Sequence, residues 1–169
     1  MESFGFKIIT SENWNHPDKT TVAITCPFDY NQESGCPPYL DRILAAQLND
    51  EVPIEIRRLF EVARGAMVYS YYFYPLYTLA TDQLSRVGET ALFYKSRKLG
   101  YTKEKPSFLD LIKFLKECRV LDGEQETEWE FFRGFRNLAS HRRNQSIYPP
   151  SATLGALERY AKEINALFS

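Results

Sequence analysis

Five amphipathic helical patterns follow one another between residues 50 and 169, leaving little chain for other structure. Pro53 and Pro75 suit the first turn of a helix, Ser107 with Asp110 resembles a capping box, and Gly100 follows a basic last turn. Apolar residues recur at the helical spacing between these signals. The sequence therefore predicts helices over about 50–70, 75–100, 107–115, 124–143 and 151–169.

Short connections between long helices favour antiparallel neighbours. The predicted fold class is therefore mainly α, with an antiparallel bundle of four or five helices over residues 51–169. Residues 1–50 differ, because Phe6–Thr10 and Thr21–Thr25 are short β-branched runs separated by turn-prone residues. We predict an N-terminal arm or a short β-hairpin there, and then a short helix from Tyr39 to Leu48.

Composition narrows the class of protein. A chain of 169 residues that is 44% hydrophobic fits one domain. Because the net charge is only −1, any nucleic acid must bind to a local basic patch. Three cysteines without a CxxC pair indicate reduced thiols, cytoplasmic localisation and no zinc site. The longest uncharged stretch, residues 65–81, is short and is split by Pro75, so we expect no membrane span.

The helix over 124–143 is acidic at its start and basic at its end, an order that the helix macrodipole alone favours. Its predicted apolar stripe consists of Phe131, Phe132, Phe135, Leu138 and Ala139. Arg136 lies at the border of this stripe, whereas Asn137 and His141 share another side. On one straight helix Arg136 and His141 lie roughly 140° apart. Either the helix ends near Ser140, or two copies of it meet in a homodimer.

The segment Arg136-Asn137-Leu138-Ala139-Ser140-His141 resembles the R-x4-6-H motif of the HEPN superfamily of small helical-bundle proteins. The resemblance covers residues 75–169, with the motif on the penultimate helix. It implies a metal-independent endoribonuclease that needs no cofactor and cleaves RNA through attack by a 2′-hydroxyl. It also implies a role in a prokaryotic defence or stress system.

The resemblance implies that Arg136, Asn137 and His141 are catalytic. We assign further RNA contacts to four neighbouring polar or basic residues, Arg133, Ser140, Arg142 and Arg143. Glu89 is a candidate supporting acid on a helix that faces the motif, although a salt bridge with Arg86 is the ordinary alternative. The ordinary alternatives for the motif are a surface histidine at a helix C-terminus, an arginine stem packed on aromatic rings and a solvent-facing asparagine.

Some HEPN toxins carry a tyrosine two positions after the histidine, where a nucleotidyltransferase antitoxin modifies them. Arg143 occupies that position, which weakens the expectation of a toxin–antitoxin pair with such a partner. Two other readings remain open. Under the first, the chain is a non-catalytic HEPN-like module that binds nucleotide, RNA or a protein partner. Under the second, it is a helical scaffold in which the motif is accidental.

Overall fold

The computed structural model describes residues 6–25, 39–140 and 148–169, and within them the chain is mainly helical, without strands. The seven helices of these ranges are α1 (Lys19–Thr25), α2 (Leu40–Ala45), α3 (Ile54–Tyr69), α4 (Leu76–Lys98), α5 (Phe108–Glu117), α6 (Gly123–Ser140) and α7 (Pro150–Phe168). The mainly α fold class is thus confirmed, and helices α3 to α7 correspond to the five predicted patterns.

The local signals at the helix ends act as predicted. Ser107 Oγ accepts a hydrogen bond from the Asp110 backbone N–H at 3.2 Å, and the Asp110 carboxylate accepts one from the Ser107 N–H at 2.7 Å. Gly100 follows α4 with a φ of 90°, a conformation that side chains with a Cβ atom disfavour. These residues determine where α5 begins and where α4 ends.

Helix α4 lies at the centre of the helical bundle and packs against α3, α5, α6 and α7. Its buried side is rich in small residues, including Ala80, Gly88 and Ala91. Gly88 lies against the rings of Trp129 on α6 and Tyr160 on α7. Because Gly88 has no side chain, the two aromatic helices approach α4 closely, and this approach positions α6, which carries the motif.

The directions of the helices differ in one respect from the predicted antiparallel bundle. Gln83 on α4 donates a hydrogen bond to the Leu59 carbonyl on α3, as expected for an antiparallel pair joined by a short turn. Helices α4 and α7, by contrast, run in the same direction, since Thr81 contacts Thr153 near their starts and Lys95 lies over the Phe168 ring near their ends. The rule of short connections covers only helices adjacent in the chain, and the α5–α6 hairpin separates this pair.

The N-terminal hairpin is not present in residues 6–25, and Thr21–Thr25, predicted as a strand, belongs to α1. Asp18 connects the start of this helix to the α3–α4 turn. Its carboxylate accepts hydrogen bonds from the backbone N–H groups of Thr20 and Tyr74 at 2.9 and 3.0 Å. The Thr21 hydroxyl donates to the Ser70 carbonyl at 2.9 Å. These long-range bonds to the α3–α4 turn override the β preference of the segment. The short helix predicted from Tyr39 is present as α2.

Glu163 on α7 is an almost fully buried carboxylate. Its Oε1 lies 3.4 Å from Lys162 Nζ, while its Oε2 is buried without a hydrogen bond. Burial raises the pKa of Glu163, the Lys162 ammonium partly offsets this, and the carboxylates of Glu128 and Glu124 raise it further. The folded state therefore favours the protonated form of this side chain.

We expect the stability of the protein to fall as the pH rises above the ordinary glutamate pKa of 4.5, because the unfolded chain then loses the Glu163 proton before the folded one does. The loss is complete once the pH exceeds the raised pKa. Glu163→Gln should remove this fall and stabilise the protein at pH 8 by about 1 kcal/mol, since a neutral amide is easier to bury. Urea unfolding at several pH values measures it, with the exposed Glu117→Gln as control. An equally steep fall in both variants would contradict the prediction.

Candidate functional site at the α4–α6 seam

Arg136 lies where the buried side of α6 reaches the surface. Trp129 and Phe132 on that side are fully buried, and Arg136 follows them at the spacing i, i+3 and i+7, so all three share one face of the helix. The Arg136 side chain is 45% exposed, and its Nη2 lies 3.6 Å from Oε2 of Glu89 on α4. The packing of α6 thus directs this guanidinium toward α4 while leaving nearly half of it accessible.

The aromatic stripe of α6 differs from the prediction. Trp129 and Phe132 form its core, whereas Phe131 is 42% exposed and lies under the guanidinium of Arg159, 4.1 Å from the ring centroid. Arg159 also forms two hydrogen bonds with Glu128. Trp129 was not part of the predicted stripe, although its spacing to Phe132 and Arg136 indicates this face of the helix.

The other motif residues are placed as follows. Asn137 is half-buried directly after Arg136, and Ser140 is the last residue of α6. Arg133 donates from Nε to Glu130 Oε2 at 2.7 Å, so its guanidinium already has a partner on its own helix. His141, Arg142 and Arg143 lie outside the described residues. The structure thus brings Arg136 and Glu89 together, and the functional roles of all these residues stay predictions.

Glu89 lies on the helix that faces the motif, as expected of a supporting acid. Its ion-pair partner among the described residues is Arg136 on α6 rather than Arg86 on its own helix. An ion pair with both groups partly exposed contributes at most about 1 kcal/mol to stability. Such a pair can orient the Arg136 guanidinium, and a phosphate can still compete for it.

Two further residues of α4 lie on the same side of the helix as Glu89. Asp82, Arg86 and Glu89 follow the spacing i, i+4 and i+7, which could have revealed them in the sequence. Burial raises the pKa of Asp82, partly offset by the positive charge of Arg86, and Asp82 Oδ1 is buried without a hydrogen bond. We call these three residues together with Arg136 the α4–α6 seam.

The start of α7 borders the seam. The Tyr148 backbone N–H donates to the hydroxyl of Thr78 on α4 at 3.1 Å, and the Tyr148 ring lies 5.5 Å from that of Phe135 on α6. Burial raises the pKa of the Tyr148 hydroxyl, and the nearby Asp82 carboxylate raises it further. Tyr148 therefore links α4 and α6 close to the C-terminal end of the motif helix.

No family model, no curated protein sequence and no solved structure matches the chain. Among residues 6–25, 39–140 and 148–169 no helix is both long and apolar enough to cross a membrane. Over the same ranges no three His, Cys, Asp or Glu side chains lie together as metal ligands.

Proposed function

We propose that the chain is a metal-independent endoribonuclease of the HEPN type, with Arg136, Asn137 and His141 as its catalytic residues. The observation that carries the proposal is the position of Arg136. It is a half-exposed guanidinium at the surface end of the buried face of the penultimate helix, paired with an acid on the central helix. The resemblance of Arg136–His141 to the R-x4-6-H motif is the reason for proposing His141 as the catalytic partner of this arginine.

The chemistry of these side chains suits RNA cleavage. Attack of a ribose 2′-oxygen on the phosphorus forms a new P–O2′ bond and breaks the P–O5′ bond, so a 2′,3′-cyclic phosphate and a free 5′-hydroxyl result. The imidazole of His141 accepts the 2′-hydroxyl proton or donates one to the leaving 5′-oxygen. The guanidinium of Arg136 donates two hydrogen bonds to phosphate oxygens as their charge increases, and the amide of Asn137 orients the phosphate or the imidazole.

The proposal also includes the other properties that the sequence predicts. They are RNA contacts by Arg133, Ser140, Arg142 and Arg143, and a homodimer that apposes the two motif helices. They also include a four- or five-helix HEPN core over residues 51–169, a cytoplasmic location and a prokaryotic defence or stress role. A protein partner, such as a nucleotidyltransferase antitoxin, fits less directly, because Arg143 replaces the tyrosine that such a partner modifies.

One observation favours a second candidate function, a non-catalytic HEPN-like binding module. Arg136 and Arg133 both have carboxylate partners, Glu89 and Glu130, which compete with phosphate oxygens for the guanidinium groups. Such a module would bind RNA, a nucleotide or a protein partner in a saturable way without turnover.

Cleavage of RNA in the presence of EDTA tests the proposal. We expect the purified protein to cut RNA into products with 2′,3′-cyclic phosphate ends and to leave DNA of the same sequence intact. His141→Ala should lower the rate by about 10²- to 10⁴-fold, the usual contribution of a general acid or base. His16→Ala is the matched control, since His16 is the other histidine of the chain. Cleavage that needs added metal, or that survives His141→Ala, would refute the nuclease, and binding without cleavage would support the module.

A further inference from the structure

Arg86 is an exposed arginine in the middle of α4, within the α4–α6 seam. It lies one turn after Asp82 and nearly one turn before Glu89, yet neither carboxylate is within ion-pair distance of its guanidinium. Glu89 instead pairs with Arg136 across the seam. Glu89 therefore follows Arg86 by three positions on α4 and pairs with the guanidinium of Arg136 on α6.

Most of the described arginines have a partner that explains their position. Six form ion pairs with carboxylates, namely Arg42, Arg57, Arg64, Arg133, Arg136 and Arg159. Arg97 donates to the carbonyls of Tyr101 and Lys103. Among residues 6–25, 39–140 and 148–169, the guanidinium groups of Arg58, Arg86 and Arg119 make no hydrogen bond or ion pair. Arg86 is the member of this set that lies in the seam.

The Arg86 guanidinium is exposed and forms no ion pair with the described residues, so an anion can approach it. One of its two acidic neighbours on α4, Asp82, lies four positions before it and is partly desolvated; burial raises the pKa of that carboxyl group and the charge of Arg86 lowers it. The other, Glu89, is engaged by Arg136. An RNA strand carries one negative charge per nucleotide, so a strand that places a phosphate at Arg136 brings the neighbouring phosphates to the same surface.

We propose that Arg86 is a second phosphate-binding residue of the seam, which holds the backbone of a single RNA strand next to the phosphate that Arg136 contacts. The inference rests on the proposed function and extends it. It extends the RNA path from Arg136 onto α4 at Arg86, a residue to which the sequence resemblance assigned no role.

A salt titration of RNA binding tests this inference. The probe is a mixed-sequence single-stranded 2′-O-methyl oligoribonucleotide, whose blocked 2′-oxygen prevents cleavage, and the readout is fluorescence anisotropy of the full chain. We expect Arg86→Ala to weaken binding roughly 10-fold at low salt, as for the loss of one charge-assisted contact. We also expect it to reduce the slope of log affinity against log salt by about 0.7, the value for one phosphate contact on a single strand.

Two variants make the result specific. Arg58→Ala on α3 removes an exposed arginine that likewise has no described partner, and it should leave both the affinity and the slope unchanged. Arg86→Lys keeps the charge and should restore most of the slope, although it loses the two-pronged geometry of the guanidinium. If Arg86→Ala behaves like Arg58→Ala while the wild type cleaves RNA, this inference fails alone. If the wild type neither binds nor cleaves RNA, the proposed function fails with it.

Discussion

Alanine at Gly88 is expected to lower the free energy of unfolding by roughly 2–4 kcal/mol relative to alanine at Gly134. A Cβ atom at position 88 would lie 2.5 Å from Cε1 of Tyr160 and 3.2 Å from Cζ3 of Trp129. Neither ring can move away easily, because both are buried and Phe132 stacks on Tyr160 with the centroids 3.8 Å apart. The helices must separate to accommodate the methyl group, and that strain exceeds the gain in helix propensity.

Gly134→Ala is the matched control, because Gly134 is also in a helix and a Cβ atom there would have no neighbour within 4 Å. This variant should gain up to about 1 kcal/mol from helix propensity alone. Urea unfolding followed by tryptophan fluorescence measures both, since Trp129 is buried in the contact that Gly88 permits. Equal stabilisation by both substitutions would contradict the close approach of α6 and α7 to α4 at Gly88.

Arg136→Ala is expected to lower kcat/KM for RNA cleavage by about 10²- to 10³-fold, as for the loss of a group that stabilises charge in a transition state. Arg136→Lys should recover only part of this, since an ammonium group does not reproduce the two parallel donors of a guanidinium. The fold should persist in both variants, because the ion pair with Glu89 is partly exposed and contributes little to stability. Initial rates on RNA in EDTA, with circular dichroism for the fold, measure these effects.

Glu89→Gln distinguishes a catalytic arginine from a purely structural one. If Arg136 served only to pair with Glu89, the two single substitutions would have equally small effects on stability and neither would alter RNA cleavage. For a catalytic Arg136, we expect Glu89→Gln to retain most of the activity, because the substitution leaves the guanidinium itself unchanged and an amide oxygen can also face it as an acceptor. Loss of cleavage in Glu89→Gln equal to that in Arg136→Ala would contradict this separation of roles.

The extent of the helices was predictable because the signals for helix ends are local. Ser107 and Asp110 satisfy each other's backbone and side-chain groups within one turn, and Gly100 adopts the positive φ that ends α4 without help from distant residues. Apolar periodicity identified the helices between these ends for the same reason. The candidate site was predictable only in part, since the spacing along α6 identified Arg136 but not the face that it shares with Trp129.

The sequence by itself therefore determined the mainly α class, the positions of the five long helices and the presence of Arg136 near the end of the penultimate one. Only the tertiary structure decided that Thr21–Thr25 is helical, that α7 runs parallel to α4, and that Arg136 pairs with Glu89. The physical reason is the distance along the chain between the interacting groups. A helix end depends on groups a few residues apart, whereas these three features depend on contacts between residues that are 47 to 73 positions apart in the chain.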